Sequence, residues 1–321
     1  MLMATIAIII GFVVLVWSAD RFVAGAAALA HHLGMSAMMI GMTVVALGTS
    51  APEIFASATA ALSNASELAI GNALGSNIAN IGLVLGITCL VSPLPIRAAI
   101  FKKEVPMLIV ITLLSGLCFI DGYFGIWDGL FLITALVIVL WLMIREKHVH
   151  PEEDLGFGDE DTVIPEYTTK QALAWVSVGL IALMASAKSL VWGATEIAQA
   201  FGVSDLVIGL TIVAIGTSLP ELAASITSAR KGHHDIAIGN IIGSNLFNLL
   251  AVMSLPGLIN PTEVESVVLY RDFSTMTLLT FMLVGFAWIM RKQGKIARSE
   301  GTALLFTYAA YLGLLYYQSI N

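Results

Sequence analysis

Charge is what this sequence has least of. Only 12% of its 321 residues are Asp, Glu, Lys or Arg, about half the share of a soluble domain. Cysteine is nearly absent too. The two present, Cys89 and Cys118, both fall in apolar segments, so they read as small buried hydrophobes rather than a disulfide framework. No Cys/His spacing suggests zinc. Neither H-E-x-x-H nor G-x-S-x-G occurs, and no histidine stands inside an apolar run to activate a serine. These gaps argue against an intramembrane enzyme. No enzyme activity, no cofactor and no nucleic-acid partner are expected. The formal net charge of −7 says little, because most ionisable residues lie between the apolar runs.

What the chain has is hydrocarbon. Hydrophobic residues make up 58% of it, and the mean hydropathy is +0.91. Apolar runs of about 20 residues, enough to cross a bilayer, cover roughly 2–30, 36–62, 67–92, 98–120, 125–145, 169–199, 204–229, 235–259, 266–290 and 299–318. Only helices and closed barrels satisfy every backbone group in lipid. An all-α polytopic membrane protein with ten transmembrane helices is therefore predicted, with the lipid bilayer as its surroundings. The first run reads as a retained helix, not a cleaved signal.

Lys and Arg in short loops set orientation. Arg97, Lys102 and Lys103 follow run 3, and Arg145, Lys147 and Lys170 flank the link between runs 5 and 6. Arg230 and Lys231 follow run 7, while Arg291, Lys292, Lys295 and Arg298 follow run 9. All these loops share one side if the count is right. That side is read as cytoplasmic, which puts both termini outside, in the periplasm of a cell with an inner membrane. Asp20 and Arg21, inside run 1, are expected to pair with each other.

The chain also repeats itself. Residues 11–93 overlay residues 179–261 without a gap. IGMTVVALGTSAPE faces IGLTIVAIGTSLPE, and AIGNALGSNIAN faces AIGNIIGSNLFN. Each half holds five runs, an odd number, so the second half must enter the membrane from the opposite side. Inverted repeats of this kind are the architecture of secondary transporters, whose sites lie where the broken helices of the two halves meet. Helices 2, 3, 7 and 8 are the ones expected to be broken. The expected units are 1–145, an acidic cytoplasmic linker 146–168, and 169–321.

The proline in each GTSxPE motif has no amide hydrogen, so Gly48 and Gly216 lose a helical partner for their carbonyls. Such a carbonyl is tolerated at bilayer depth only where it lines a cavity or meets protein. Beside the breaks stand Thr49, Ser50 and Glu53, then Thr217, Ser218 and Glu221. Asn72, Ser76 and Asn80 recur every four residues on run 3, as Asn240, Ser244 and Asn248 do on run 8. Glycines at the same spacing (Gly71, Gly75, Gly239, Gly243) let helices approach. An intramembrane acid is costly and by default functional. Two of them among hydroxyls, amides and freed carbonyls make an all-oxygen site suited to Na⁺ or Ca²⁺.

The paired GTSxPE and GNxxGSN motifs resemble the α-repeats of the cation/Ca²⁺ antiporter superfamily, in particular its prokaryotic sodium/calcium exchanger branch. The resemblance covers both halves. It implies a secondary active antiporter exchanging Na⁺ for Ca²⁺ by alternating access, with Glu53 and Glu221 as central ligands. It further implies hydroxyl ligands at Thr49, Ser50, Ser76, Thr217, Ser218 and Ser244, carbonyl ligands at Ala46 and Ala214, and polar ligands at Asn80 and Asn248. Some relatives carry Asp at one of these last two positions. Here both are Asn, leaving two carboxylates. The proton/calcium branch usually has an acid soon after its GN pair, where this chain has GNALGSN and GNIIGSN. That favours Na⁺ over H⁺ as the coupling ion. The acidic stretch 151–166 lacks the ligand spacing of an EF-hand and reads as a solvated linker. All six histidines are expected at the surface.

Overall fold

The computed structural model describes residues 1–95, 103–149, 165–203, 208–289 and 294–320. Helix α1 (Leu2–Leu33) ends where Gly34 takes a left-handed backbone, φ 59°, a conformation that favours glycine. Helix α7 (Thr169–Ala200) begins with a capping box, in which the Thr168 side chain and the Gln171 backbone and side chain satisfy one another. These two long helices pack along their length through glycines. A Cβ on Gly25 would stand 2.9 Å from the Ala172 carbonyl oxygen, on Gly179 2.8 Å from the Phe22 nitrogen, and on Gly193 2.7 Å from the Ala4 carbonyl oxygen. Only a hydrogen fits there.

Between them come α2 (Ala37–Thr49), α3 (Ala51–Leu62), α4 (Ser66–Val91), α5 (Glu104–Leu117) and α6 (Ile126–Val149). The second half continues with α8 (Thr211–Thr217), α9 (Leu219–Arg230), α10 (His234–Ile259), α11 (Ser274–Ile289) and α12 (Arg298–Ile320). Helices α2 and α3 meet at a bend of 44°, α8 and α9 at one of 52°. Among the described residues, five helices are long and apolar enough to cross a membrane, and seven if each bent pair counts as one span.

Helices α4 and α10 form the buried centre. Around them, large apolar side chains face outward: Phe12 is 60% exposed, Ile181 68% and Trp127 82%. Polar groups in the middle and hydrocarbon at the perimeter is the reverse of a water-soluble fold, and suits a lipid solvent. Two short antiparallel ribbons tie the halves together. Leu94–Pro95 pairs with Lys295–Ile296, and Tyr123–Phe124 pairs with Thr262–Glu263.

Three expectations change. Helices α4 and α10 are not broken. Each stays continuous and relaxes into a single π-helical turn, at Asn80–Leu85 and Asn248–Val252, because no proline interrupts residues 71–85 or 239–252. Asp20 does not pair with Arg21. Its carboxylate meets the Lys231 ammonium at 2.6 Å, while the Arg21 guanidinium lies over Trp175 at 5.1 Å and donates to the Tyr167 hydroxyl at 3.4 Å. Neighbours on one helix turn point apart, and partners from other elements reach each charge more easily. His233 is not at the surface but buried, tucked under the first turn of α10. Most of the expected linker 146–168, together with Arg97, Lys102, Arg291 and Lys292, lies outside the described residues.

Candidate functional site

Each GTSxPE motif folds as a helix end and a helix start in immediate succession. Helix α2 stops at Thr49, Ser50 takes φ −83° and ψ 1°, and α3 restarts at Ala51 with Pro52 in its first turn. A proline there removes an amide that would have no helical partner anyway. The second motif does the same, with Ser218 at φ −89° and ψ 4° and Pro220 in the first turn of α9. Both bends therefore deliver an acid, Glu53 or Glu221, into the first turn of a new helix. That is the end whose unpaired amides favour negative charge.

Asparagines hold both turns. Asn72 donates from Nδ2 to the Glu53 carbonyl at 3.2 Å and to Ser57 Oγ at 2.9 Å. Asn240 donates likewise to the Glu221 carbonyl at 3.3 Å and to Ser225 Oγ at 2.9 Å. By their spacing Asn72 and Asn240 are expected among the oxygens of the site. The structure uses their nitrogens to fix the backbone from which each glutamate projects. Asn240 also accepts the Thr49 hydroxyl, at 3.1 Å. The four-residue spacing flagged these positions, but no pattern in the sequence says which end of an amide faces inward. Ser57, Ser225 and the pair Asn77 and Asn245 were missed. Asn77 Nδ2 donates to the Asn245 carbonyl at 3.3 Å and joins α4 to α10.

The halves meet at the acids. Ser50 donates from Oγ to Glu221 Oε1 at 3.5 Å, and each glutamate lies within electrostatic reach of the other. Glu53 and Glu221 are each only 2% exposed. Thr49, Ser50, Ser76, Asn80, Ser218, Ser244, Asn248 and Ala46 are also buried, and Thr217 is half-buried. Ala214 lies in the helical backbone just before the second break. Asn80 and Asn248 each open a π-helical turn, the kind of local unwinding that concentrates at functional sites.

Five of these buried groups are left over. Glu53 Oε2, Glu221 Oε2, Ser218 Oγ, Ser244 Oγ and Asn248 Oδ1 have no hydrogen-bond partner among the described residues. Leaving a buried acceptor unsatisfied costs about 1–3 kcal/mol, more for a charge. All five are buried oxygens that the protein's own hydrogen bonds, among the described residues, leave unused. Among the described residues no group of three or more His, Cys, Asp or Glu is placed to hold a metal ion. Carboxylate, hydroxyl and amide oxygens are the donor types that hard cations take.

A cavity of about 320 Å³ reaches this region, lined by Asn72, Ser76, Thr217, Tyr308, Tyr311 and Leu312 among others. Ser76 and Thr217 both stand in its wall. A larger cavity of about 580 Å³ lies between α1, α7, α8 and α9. Its walls are nearly all apolar, so it offers a cation nothing.

Residues 3–145 and 171–317 match the family described as Sodium/calcium exchanger protein. CaxA of Alkalimonas amylolytica is 45% identical over 317 residues, covering 98% of this chain and 99% of CaxA. Sodium/calcium exchanger MaX1 of Methanosarcina acetivorans is 31% identical over 348 residues, covering 97% of each chain. The solved sodium-calcium exchanger NCX_Mj superposes with a TM-score of 0.82 at 30% identity, covering 98% of this chain and 99% of that one.

Proposed function

The chain belongs to the sodium/calcium exchanger protein family, and from that premise we propose that it is a secondary active antiporter exchanging Na⁺ for Ca²⁺ across the cytoplasmic membrane by alternating access. The observation that carries this reading is the pair of buried glutamates at two equivalent helix bends, each with an unpartnered carboxylate oxygen. The cation ligands are Glu53 and Glu221, the side chains of Thr49, Ser50, Ser76, Asn80, Thr217, Ser218, Ser244 and Asn248, and the carbonyls of Ala46 and Ala214.

The architecture that goes with it is ten crossings in two inverted halves, 1–145 and 169–321, joined by a linker over 146–168. Both termini then lie outside. The two ribbons support this parity. Leu94 pairs with Ile296, which puts the third and ninth loops on one side. Tyr123 pairs with Glu263, which puts the fourth and eighth loops together on the other.

Function follows from electrostatics. Two carboxylates facing each other away from water are costly as a bare pair. One Ca²⁺ or two Na⁺ cancels the charge, so a loaded site can pass through an occluded form and an empty one cannot. Exchange is therefore obligatory. With Na⁺ running inward, Ca²⁺ leaves the cell. Neither GN motif is followed by an acid before its serine, which supports Na⁺ rather than H⁺ as the partner.

The test is Ca²⁺ uptake into proteoliposomes loaded with Na⁺, with K⁺, or with a pH gradient alone, using Glu53→Gln and Glu221→Gln as controls. Uptake with internal Na⁺ only, lost in both variants, is expected. Uptake driven by the pH gradient would move the protein to proton coupling. Uptake indifferent to every internal ion would mean a channel.

A further inference from the structure

Where residues 11–93 overlay residues 179–261, two charged positions break the match. Asp20 on α1 corresponds to Lys188 on α7. Lys231, just past the end of α9, corresponds to Ser63, just past the end of α3. The structure brings the first two together. The Lys231 ammonium meets the Asp20 carboxylate at 2.6 Å and donates to the Asp20 backbone carbonyl at 3.3 Å. Their equivalents, a lysine and a serine, cannot form an ion pair with each other in any conformation.

The position of the pair gives it leverage. Asp20 belongs to the first half and Lys231 to the second. The contact lies at the end of the molecule that carries Arg230 and Lys231, read above as cytoplasmic. It bridges α1 and α9, and α9 is the helix that opens with Glu221. The Lys231 and Asp20 side chains are 33% and 44% exposed. Water reaches both, so the pair opens at little cost.

In an inverted repeat, exchanging the roles of the two halves turns one facing state into the other. Identical halves would make the two states equal in energy. A contact open to one arrangement only removes that equality. We propose that the Asp20–Lys231 pair is a one-sided strut that holds the cytoplasmic end shut while the site faces outward. It parts when the halves rock to the inward-facing state. At the outer end Lys188 and Ser63 supply no matching ion pair. The carrier therefore rests facing out. The strut rests on the antiporter reading above and names residues away from the cation ligands that set the resting orientation.

The experiment measures isotopic Ca²⁺/Ca²⁺ exchange by the full chain in membrane vesicles of both orientations. An apparent affinity is weakened in proportion to the fraction of carriers facing away. Asp20→Asn and Lys231→Gln each release the pair without touching a proposed ligand. The cytoplasmic KM should fall, the outer KM should rise, and their ratio should change by about two- to fivefold, the range of a partly exposed pair. The double variant Asp20→Lys with Lys231→Asp should restore the ratio. Damage to the fold would weaken both faces together. An unchanged ratio in both single variants overturns the strut, as do shifts of the same sign on the two faces or a double variant that restores nothing. Isotopic exchange needs no coupling ion, so a parent protein driven by H⁺ would overturn Na⁺ coupling alone and the ratio would still decide the strut. A parent with no Ca²⁺/Ca²⁺ exchange from either face would overturn the strut together with the antiporter reading.

Discussion

Ser50 donates its hydroxyl to the Glu221 carboxylate at 3.5 Å, and this bond joins a helix bend of the first half to the acid of the second. Glu221 is thus presented to a hydroxyl of the partner half. Neither half alone would surround a cation, which ties binding to the relative position of the two bends.

Removing one acid removes one of two charges from a buried site. Glu221→Gln keeps the shape and an acceptor oxygen. Ca²⁺ affinity is expected to fall by about a hundredfold or more, roughly 3 kcal/mol for a desolvated charge pair. Glu53→Gln should do the same, because the bends are equivalent. Calorimetric Ca²⁺ titration of the purified variants checks this, and a loss of only a few-fold in either would remove that glutamate from the ligand set. Ser50→Ala, which deletes a single long hydrogen bond, should cost about three- to tenfold.

Asn240 has more to lose than Asn72. It makes two donor bonds and accepts the Thr49 hydroxyl in a fully buried setting, whereas Asn72 makes its two donor bonds where it is half-buried. Asn240→Ala strands a buried carbonyl and two hydroxyls, and should lower the unfolding free energy by about 2–4 kcal/mol. Asn72→Ala should cost less, because Asn72 is half-buried and lines the adjoining cavity. Melting midpoints of the two purified variants give the comparison. Equal losses would mean that the deeper burial of Asn240 adds nothing to the worth of its bonds.

The sequence carried the breaks and the acids clearly, because proline and intramembrane glutamate have few structural uses in lipid. The repeat made each motif vouch for the other. It was less able to say how α4 and α10 meet the demand for irregular backbone. A π-helical turn at Asn80 or Asn248 leaves no residue signature, whereas a proline does. The Asp20–Lys231 pair was hidden for a related reason. Adjacent opposite charges look like partners on paper, but the partner that won sits more than two hundred positions away and is visible only once α9 lies beside α1. The role of Asn240 was half legible. Its position was marked by spacing, while the direction of its amide depends on the Glu221 carbonyl and the Thr49 hydroxyl.

The glycine seam between α1 and α7 predicts a stability defect separate from any loss of binding. Gly179→Val would drive a branched side chain into the Phe22 backbone, where even a Cβ would stand at 2.8 Å. Overpacking of this kind costs about 1–3 kcal/mol. Reduced melting temperature with Ca²⁺ affinity per folded molecule unchanged is the expected outcome. A variant as stable as the parent would show that the two helices separate easily.

Stability should also carry a pH signature from His233, in the loop before α10. Burial, and then the nearby charges of Lys231 and His234, lower its pKa from 6.5 to about 4. The folded protein therefore holds it neutral, while the unfolded chain takes up a proton near pH 6.5. The resulting stability is complete above pH 6.5, is lost progressively as the pH falls toward 4, and changes no further below that. The full loss is about 3 kcal/mol. Melting midpoints of the parent and His233→Gln, measured from pH 7.5 to 4.5, isolate this contribution from every other titrating group. The parent should lose more stability than the variant across that window, and the two curves should converge on acidification. Parallel curves would show that His233 is solvated and titrates as it does in the unfolded chain.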